Sequence, residues 1–166
     1  MENAIVSAVT HDTSEAKMTV SDLPDKPGVA ATLFRALAEA DVNVDMIVQN
    51  ASEDGATDIS FTLPHDQVDL ACATVEPLIA QLGGQACVTD ADVGRVSVIG
   101  AGMQTNPGVA ATMFETLSNA GINIEMISTS AIRISCVVRA SEAERAVGVL
   151  HAAFELDKAP ADRAEI

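Results

Sequence analysis

Residues 27–47 read PGVAATLFRALAEADVNVDMI and residues 107–127 read PGVAATMFETLSNAGINIEMI, an ungapped match at an offset of 80 with 12 of 21 positions identical. The shared residues are Pro27, Gly28, Val29, Ala30, Ala31, Thr32, Phe34, Leu37, Ala40, Asn43, Met46 and Ile47. Agreement on this scale marks one module present twice, and the period is too long for a solenoid repeat. A module of this size is marginal alone, so each copy is expected to dock against its sibling or another chain.

Periodicity supplies the elements of the first copy. Lys17 to Val20 reads as a strand, and Asp22 to Gly28 as a loop. Pro27 suits the first helical position, where its missing N–H is an orphan in any case. Ala30, Leu33, Phe34 and Leu37 then share one helical face, and Asp41-Val42-Asn43 ends the helix. Met46 to Ala51 and Thr57 to Leu63 read as strands around a Ser52-Glu53-Asp54-Gly55 turn. Ile59, Phe61 and Leu63 alternate with Asp58, Ser60 and Thr62, which predicts one buried sheet face. Val68, Cys72, Val75, Ile79 and Leu82 form a second amphipathic helix, bent at Pro77 and stopped by Gly83-Gly84, before a strand at Gln85 to Thr89. The order β-α-β-β-α-β is the ferredoxin-like arrangement.

The second copy repeats this with a strand at Val96 to Ile99, a helix from Pro107, a strand at Glu125 to Ser130, and an alternating Ile132, Ile134, Cys136 and Val138. Ser141 and Glu144 have capping-box spacing ahead of a helix burying Ala146, Val147, Leu150 and Phe154. The following Glu155 to Pro160 is no strand, so this copy lacks its fourth. Ala4 to Val9 is an unassigned strand at the other end of the chain. The expected fold is therefore α+β, two βαββαβ modules, the first inserted in the second. Residues 16–90 form the first, residues 91–155 with strand 3–10 the second, and residues 156–166 a flexible tail.

Composition narrows the function. Nine Lys and Arg against 24 Asp and Glu give a net charge of −15, which disfavours nucleic acid and membrane surfaces as partners. With no Trp or Tyr, base-stacking platforms are nearly excluded. No apolar run approaches a membrane span, the first residues lack the basic charge of a leader, and Cys72, Cys87 and Cys136 are far apart. The expectation is a cytoplasmic protein. No catalytic set, metal-binding set or cofactor loop is visible: Gly100-Ala101-Gly102 lacks the third small residue of a dinucleotide fingerprint, and His11, His65 and His151 are scattered singly. A binding role follows better than an enzymatic one.

The strand-to-helix loop Asp25-Lys26-Pro27-Gly28-Val29-Ala30 is the chemical candidate. Orphan N–H groups at a helix start favour an anionic group, Gly28 admits close approach, and Asp25 adds a carboxylate. Donors beside one carboxylate suit a zwitterion. On residues alone, the same stretch also reads as plain helix-start punctuation with a loop charge.

The doubled Pro-Gly-Val-Ala-Ala start resembles the tandem ACT-domain regulatory region of aspartate kinase, most nearly the separate β subunit of actinobacterial-type α2β2 aspartokinases. The same resemblance is carried by Asn43-Val44-Asp45-Met46-Ile47 with Asn123-Ile124-Glu125-Met126-Ile127, by Ile127-Ser128-Thr129-Ser130 before Ile132-Arg133-Ile134-Ser135, by Thr10-His11-Asp12 and by Val98 to Met103. It covers roughly residues 4–154. It implies a non-catalytic subunit that forms a homodimer through its ACT modules and partners a catalytic α subunit. It further implies feedback control, by threonine acting with lysine, of the pathway to lysine, threonine and methionine. The implied threonine site is Asp25 for the ammonium, the Lys26-Pro27-Gly28-Val29-Ala30 backbone and Gln49 from the first module, with Asn123 and Ile124 from the second module of the other chain. The alternative is a freestanding ACT-type amino-acid sensor with another partner or effector.

The repeat makes the two copies unequal as sites. Asn43 and Asn123 correspond, but Asp25 is matched by Thr105 and Gln49 by Thr129. An ammonium buried without a counter-charge costs several kcal/mol, so one threonine site per chain is expected. Ala131 replaces the family's usual acidic residue, and the segment from Lys158 to Ile166 replaces its glycine-rich C-terminus.

Overall fold

Alternation of apolar residues resolves into two four-stranded antiparallel sheets, with strand orders β3-β4-β2-β5 and β1-β6-β8-β7. This computed structural model describes residues 5–50, 54–103 and 106–163. The strands are β1 (Ile5–Asp12), β2 (Glu15–Pro24), β3 (Ile47–Gln49), β4 (Ala56–Pro64), β5 (Ala86–Asp90), β6 (Val93–Ala101), β7 (Met126–Thr129) and β8 (Arg133–Arg139). The helices are α1 (Val29–Glu39), α2 (Val68–Leu82), α3 (Gly108–Asn119) and α4 (Ala143–Ala153), with 3-10 turns at His65–Gln67 and Ala140–Glu142 ahead of α2 and α4. The chain divides into one compact unit of residues 14–91 and another of residues 1–13 with 92–166.

The N-terminal strand completes the second sheet. β1 runs antiparallel to β6 with Ile5 opposite Ala101 and Asp12 opposite Arg95, the place that β5 takes beside β2 in the first sheet. The ladders also align the copies: Thr19 faces Ser60, and Ser97 faces Ser135, each bonded through hydroxyls at 2.8 and 2.7 Å.

Helical and strand periodicities meet in two cores. In the first unit Met18, Val20, Leu33, Leu37, Phe61, Leu63 and Val75 are fully buried, and Phe34 meets Phe61 edge-on with ring centroids 5.4 Å apart. In the second, Val96, Val98, Met113, Leu117, Cys136, Val138 and Leu150 are fully buried. Among the described residues no helix is long and apolar enough to cross a membrane.

Several local expectations are corrected. β2 does not stop at Val20; it continues to Pro24 through a register shift, with Asp22 at φ 55° and its N–H bonded to Asp58 Oδ1 at 2.9 Å. Residues 22–24 are therefore strand where a loop was expected, because the bulge lets pairing resume at Leu23 opposite Thr57. Ser141 caps nothing: it lies inside the 3-10 turn, and Glu142 is the N-cap of α4 without a side-chain cap bond. Ile132, the first of the alternating residues, precedes β8 and is 59% exposed, while Ser135 and Val137, which lie between the others, are buried with them. The segment after α4 is not free chain as far as residue 163. Turns at 154–158 and 160–162 follow, and Arg163 Nη1 donates to Val6 O on β1 at 2.5 Å and its Nε to Lys158 O at 3.1 Å. Residues 164–166, Ala4, the turn residues Ala51, Ser52 and Glu53, and Thr105 lie outside the described residues.

Gly94 marks where β6 passes the start of α4. A Cβ added there would lie 2.8 Å from Ala143 Cβ and 3.3 Å from Thr13 Cγ2, and Ala143 Cβ is fixed to its backbone. Gly94→Ala should therefore lower stability by roughly 1–3 kcal/mol, measured by urea unfolding. Burial pushes the Cys136 thiol up to about 12 and, with the neighbouring Cys72 and Glu76, the Cys87 thiol up to about 11. Both thiols stay protonated at pH 8, where the thiolate is the reactive form. Iodoacetamide at that pH should leave Cys87 and Cys136 unmodified in the folded protein and alkylate them in urea, as mass spectrometry would show.

Candidate effector site

The antiparallel order places three chain segments at one end of the first sheet: the exit of β2, the entry of β4 and the exit of β3. The loop from β2 to α1 is fastened there. Asp25 N–H donates to Gly55 O at 2.9 Å, and Lys26 N–H donates to Pro24 O at 2.9 Å. Gln49, the last residue of β3, sits opposite Ile59 and so on the helix side of the sheet at the same end. Beyond it Asn50 O accepts from the Thr57 hydroxyl. Asp25 to Ala30 and Gln49 thus converge on one end of one unit, with Asp25, Lys26, Pro27, Gly28 and Gln49 exposed and Val29 anchored in the core.

The start of α1 is open. Gly28, not Pro27, is its N-cap, in the left-handed region at φ 99°, and no side chain caps the helix. The helix bonds begin with Thr32 N–H to Gly28 O at 2.9 Å, which Thr32 Oγ1 also reaches at 3.0 Å. The N–H groups of Val29, Ala30 and Ala31 therefore have no intrahelical partner and present the positive end of the helix dipole. Beside them is a hollow of about 270 Å3 lined by Lys26, Pro27, Gly28, Val29, Thr32, Gln81 and Leu82. Gln81 and Leu82, from the end of α2, were not legible as site residues. Their only sequence signal is that they precede the Gly83 stop, where α2 turns back toward the loop.

The second copy begins its helix differently from the same letters. Asn106 Oδ1 accepts from Gly108 N–H at 3.1 Å, which draws Gly108 into α3 and leaves Pro107 as N-cap. Asn106 stands where the first copy has Lys26, which offers no acceptor. The twin start thus satisfies one of its own donors. Asn123 and Ile124 belong to this unit, on the turn between α3 and β7. With Phe114, Ser118, Gly121 and Ile122 they line a hollow of about 380 Å3. Among the described residues no group of three or more His, Cys, Asp or Glu side chains could hold a metal ion.

The ACT-domain family model matches residues 18–77 and 96–154, the two copies nearly in full. The chain is 52% identical over 158 residues to the aspartokinase of Mycolicibacterium smegmatis, which covers 94% of this chain. It is also 41% identical over 165 residues to the aspartate kinase Ask_LysC of Stutzerimonas stutzeri. The regulatory subunit of aspartate kinase from Thermus thermophilus, in ligand-free form, superposes with a TM-score of 0.85 at 38% identity, covering 90% of this chain and 99% of that one. The chain belongs to the ACT-domain family, among the aspartokinase regulatory chains. A structure of aspartokinase alpha and beta subunits gives the same TM-score of 0.85 at 40% identity, with 91% and 99% covered. The chain spans 38% of the length of the Mycolicibacterium smegmatis relative, so it corresponds to a part of such aspartokinases.

Gly28 separates two effects in this ACT site. A Cβ there meets nothing within 4 Å, so Gly28→Ala carries backbone strain without a clash. It should cost roughly 1–2 kcal/mol of stability, seen as a lowered unfolding midpoint with an unchanged urea m-value.

Proposed function

We propose that this chain is the effector-binding regulatory part of an aspartate kinase, non-catalytic by itself, which binds free threonine and acts with lysine to inhibit a catalytic α chain. The observation that carries the reading is the open start of α1: first-turn N–H donors without a side-chain cap, at a left-handed Gly28, on the loop that carries Asp25. The carboxylate of an amino acid suits the donors, and its ammonium suits Asp25. The twin start, where Asn106 Oδ1 already occupies the Gly108 N–H, supports a single strong site per chain.

In this reading Asn123 and Ile124 complete the pocket from the second module of another copy. Ile47 and Ile127 support pairing of copies. They are the same residue at matched positions of edge strands β3 and β7, yet they remain 49% and 42% exposed. A ligand shared by two modules stabilises the arrangement that it bridges, by its differential affinity for that state. If the bridged state holds the catalytic chain inactive, inhibition needs no contact between threonine and the kinase site. The solved alpha and beta subunit assembly supports a catalytic partner.

Calorimetric titration of the full chain with threonine should give one site per protomer. Asp25→Ala should abolish the heat while leaving the unliganded melting temperature within about 2 °C, because the side chain of Asp25 is exposed. Two equal sites per protomer, or undiminished binding by the variant, would reject the proposal.

A further inference from the structure

The two copies treat the turn after their first helix in opposite ways. In the first, Gln67 reaches back to that turn: its Nε2 donates to Asp41 O at 3.2 Å, and its Oε1 accepts from Asn43 N–H at 2.8 Å. One carboxamide serves both sides of the turn. The corresponding residue of the second copy is Glu142, since each is the N-cap of its copy's second helix and ends the preceding 3-10 turn. A carboxylate has no proton to give a carbonyl. Glu142 Oε2 instead takes Arg145 Nε at 2.8 Å and Nη2 at 2.5 Å, and Arg145 Nη1 donates to Ala120 O at 2.6 Å.

The carbonyl side of the second turn is thus served through the arginine, and its N–H side is left open. Among the described residues, nothing accepts a hydrogen bond from Asn123 N–H. That N–H belongs to a residue lining the hollow of about 380 Å3 described above. The first copy could not copy this arrangement, because the residue three after Gln67 is Leu70, a side chain without a donor.

We infer that the Glu142–Arg145 pair positions the Asn123 turn so that it stays receptive to a hydrogen-bond acceptor such as the carboxylate or carbonyl oxygen of an amino acid, whereas Gln67 closes the twin turn at Asn43. The inference rests on the effector reading above. A ligand approaching Asn43 must first displace Gln67 from the N–H; one approaching Asn123 displaces nothing from the protein. An intramolecular hydrogen bond contributes about 1 kcal/mol, so the clamp handicaps its turn by roughly fivefold in affinity per bond broken.

The variants Glu142→Gln and Gln67→Leu test the clamp from both sides, the first offering a carboxamide at the Asn123 turn and the second removing the one at the Asn43 turn. Amide hydrogen exchange on the ligand-free full chain reads the clamp: Asn43 should exchange about tenfold or more slowly than Asn123, each relative to its unstructured rate. Gln67→Leu, which removes the acceptor of the Asn43 N–H, should speed Asn43, and Glu142→Gln should slow Asn123. Titration with threonine then reads function: Glu142→Gln and Arg145→Leu should weaken binding about tenfold at an unchanged unliganded melting temperature. Arg145→Lys, which keeps a cationic donor for Ala120 O, should retain most of the affinity. Equal exchange at Asn43 and Asn123, or wild-type affinity in Glu142→Gln, overturns the inference. A wild-type chain that gives no heat with threonine removes the effector assignment, and the exchange contrast then decides the inference alone.

Discussion

The pairing of β1 with β6 is the constraint on which the second module depends. Without β1, β6 would be an edge strand carrying Val96 and Val98, both fully buried, and α4, which lies across β1 and β6, would lose part of its floor. The same ladder fixes the topology of the whole chain, since the first module is inserted between two neighbouring strands of the second. Its entry and exit are thereby tied to the β1–β6 pair. Arg163 adds a tie from the far end of the chain by donating to Val6 O on β1.

Much of this was legible because it rests on periods and on self-comparison. The repeat named both first helices, and alternation named the buried Ile59, Phe61 and Leu63. The missing fourth strand of the second copy pointed to the N-terminal run. What was not legible depends on partners distant in sequence. The bulge at Asp22 is held by Asp58, on a different strand, and nothing near Asp22 announces it. Ser141 has the spacing of a capping box, but β8 runs on to Arg139 and leaves only a 3-10 turn in which to place it. Ile132 continues an alternation on paper and its carbonyl still accepts from Gly100 N–H on β6 at 2.9 Å, yet the paired register of β8 begins at Arg133 opposite Ile99, and the Ile132 side chain stays exposed.

The candidate site divides in the same way. Asp25 to Ala30 stands out by its chemistry, whereas Gln49 was named through the resemblance, and its convergence with the loop follows from strand direction alone. Gln81 was missed because a helix end is brought to the loop by the return of α2, a tertiary effect. Pro27 was assigned to the first helical position because its missing N–H costs nothing there, but α1 starts one residue beyond Gly28, and the identical letters of the second copy end differently. The flanking residue decides: an asparagine acceptor pulls Gly108 into the helix, and a lysine leaves Gly28 outside it in the left-handed region.

The divergence of the duplicated ACT module that bears on binding lies in hydrogen-bond accounting at helix ends, while the cores exchange one apolar residue for another. Both cores keep an apolar residue at the matched positions, although its identity changes at several, Met18 against Val96, Leu33 against Met113 and Phe61 against Cys136. An exposed donor is easier to reassign. Replacing Lys by Asn ahead of a helix, or Glu by Gln at the next one, either satisfies a backbone N–H internally or leaves it to water, with little change in stability because water is already an adequate partner. Internal satisfaction removes a donor from use by a ligand, and solvent exposure keeps it available. Two modules that share a fold can thus differ in which end binds, the first offering the start of its leading helix and the second the turn that follows it. The proposed effector, bridging copies, would draw on both open ends at once.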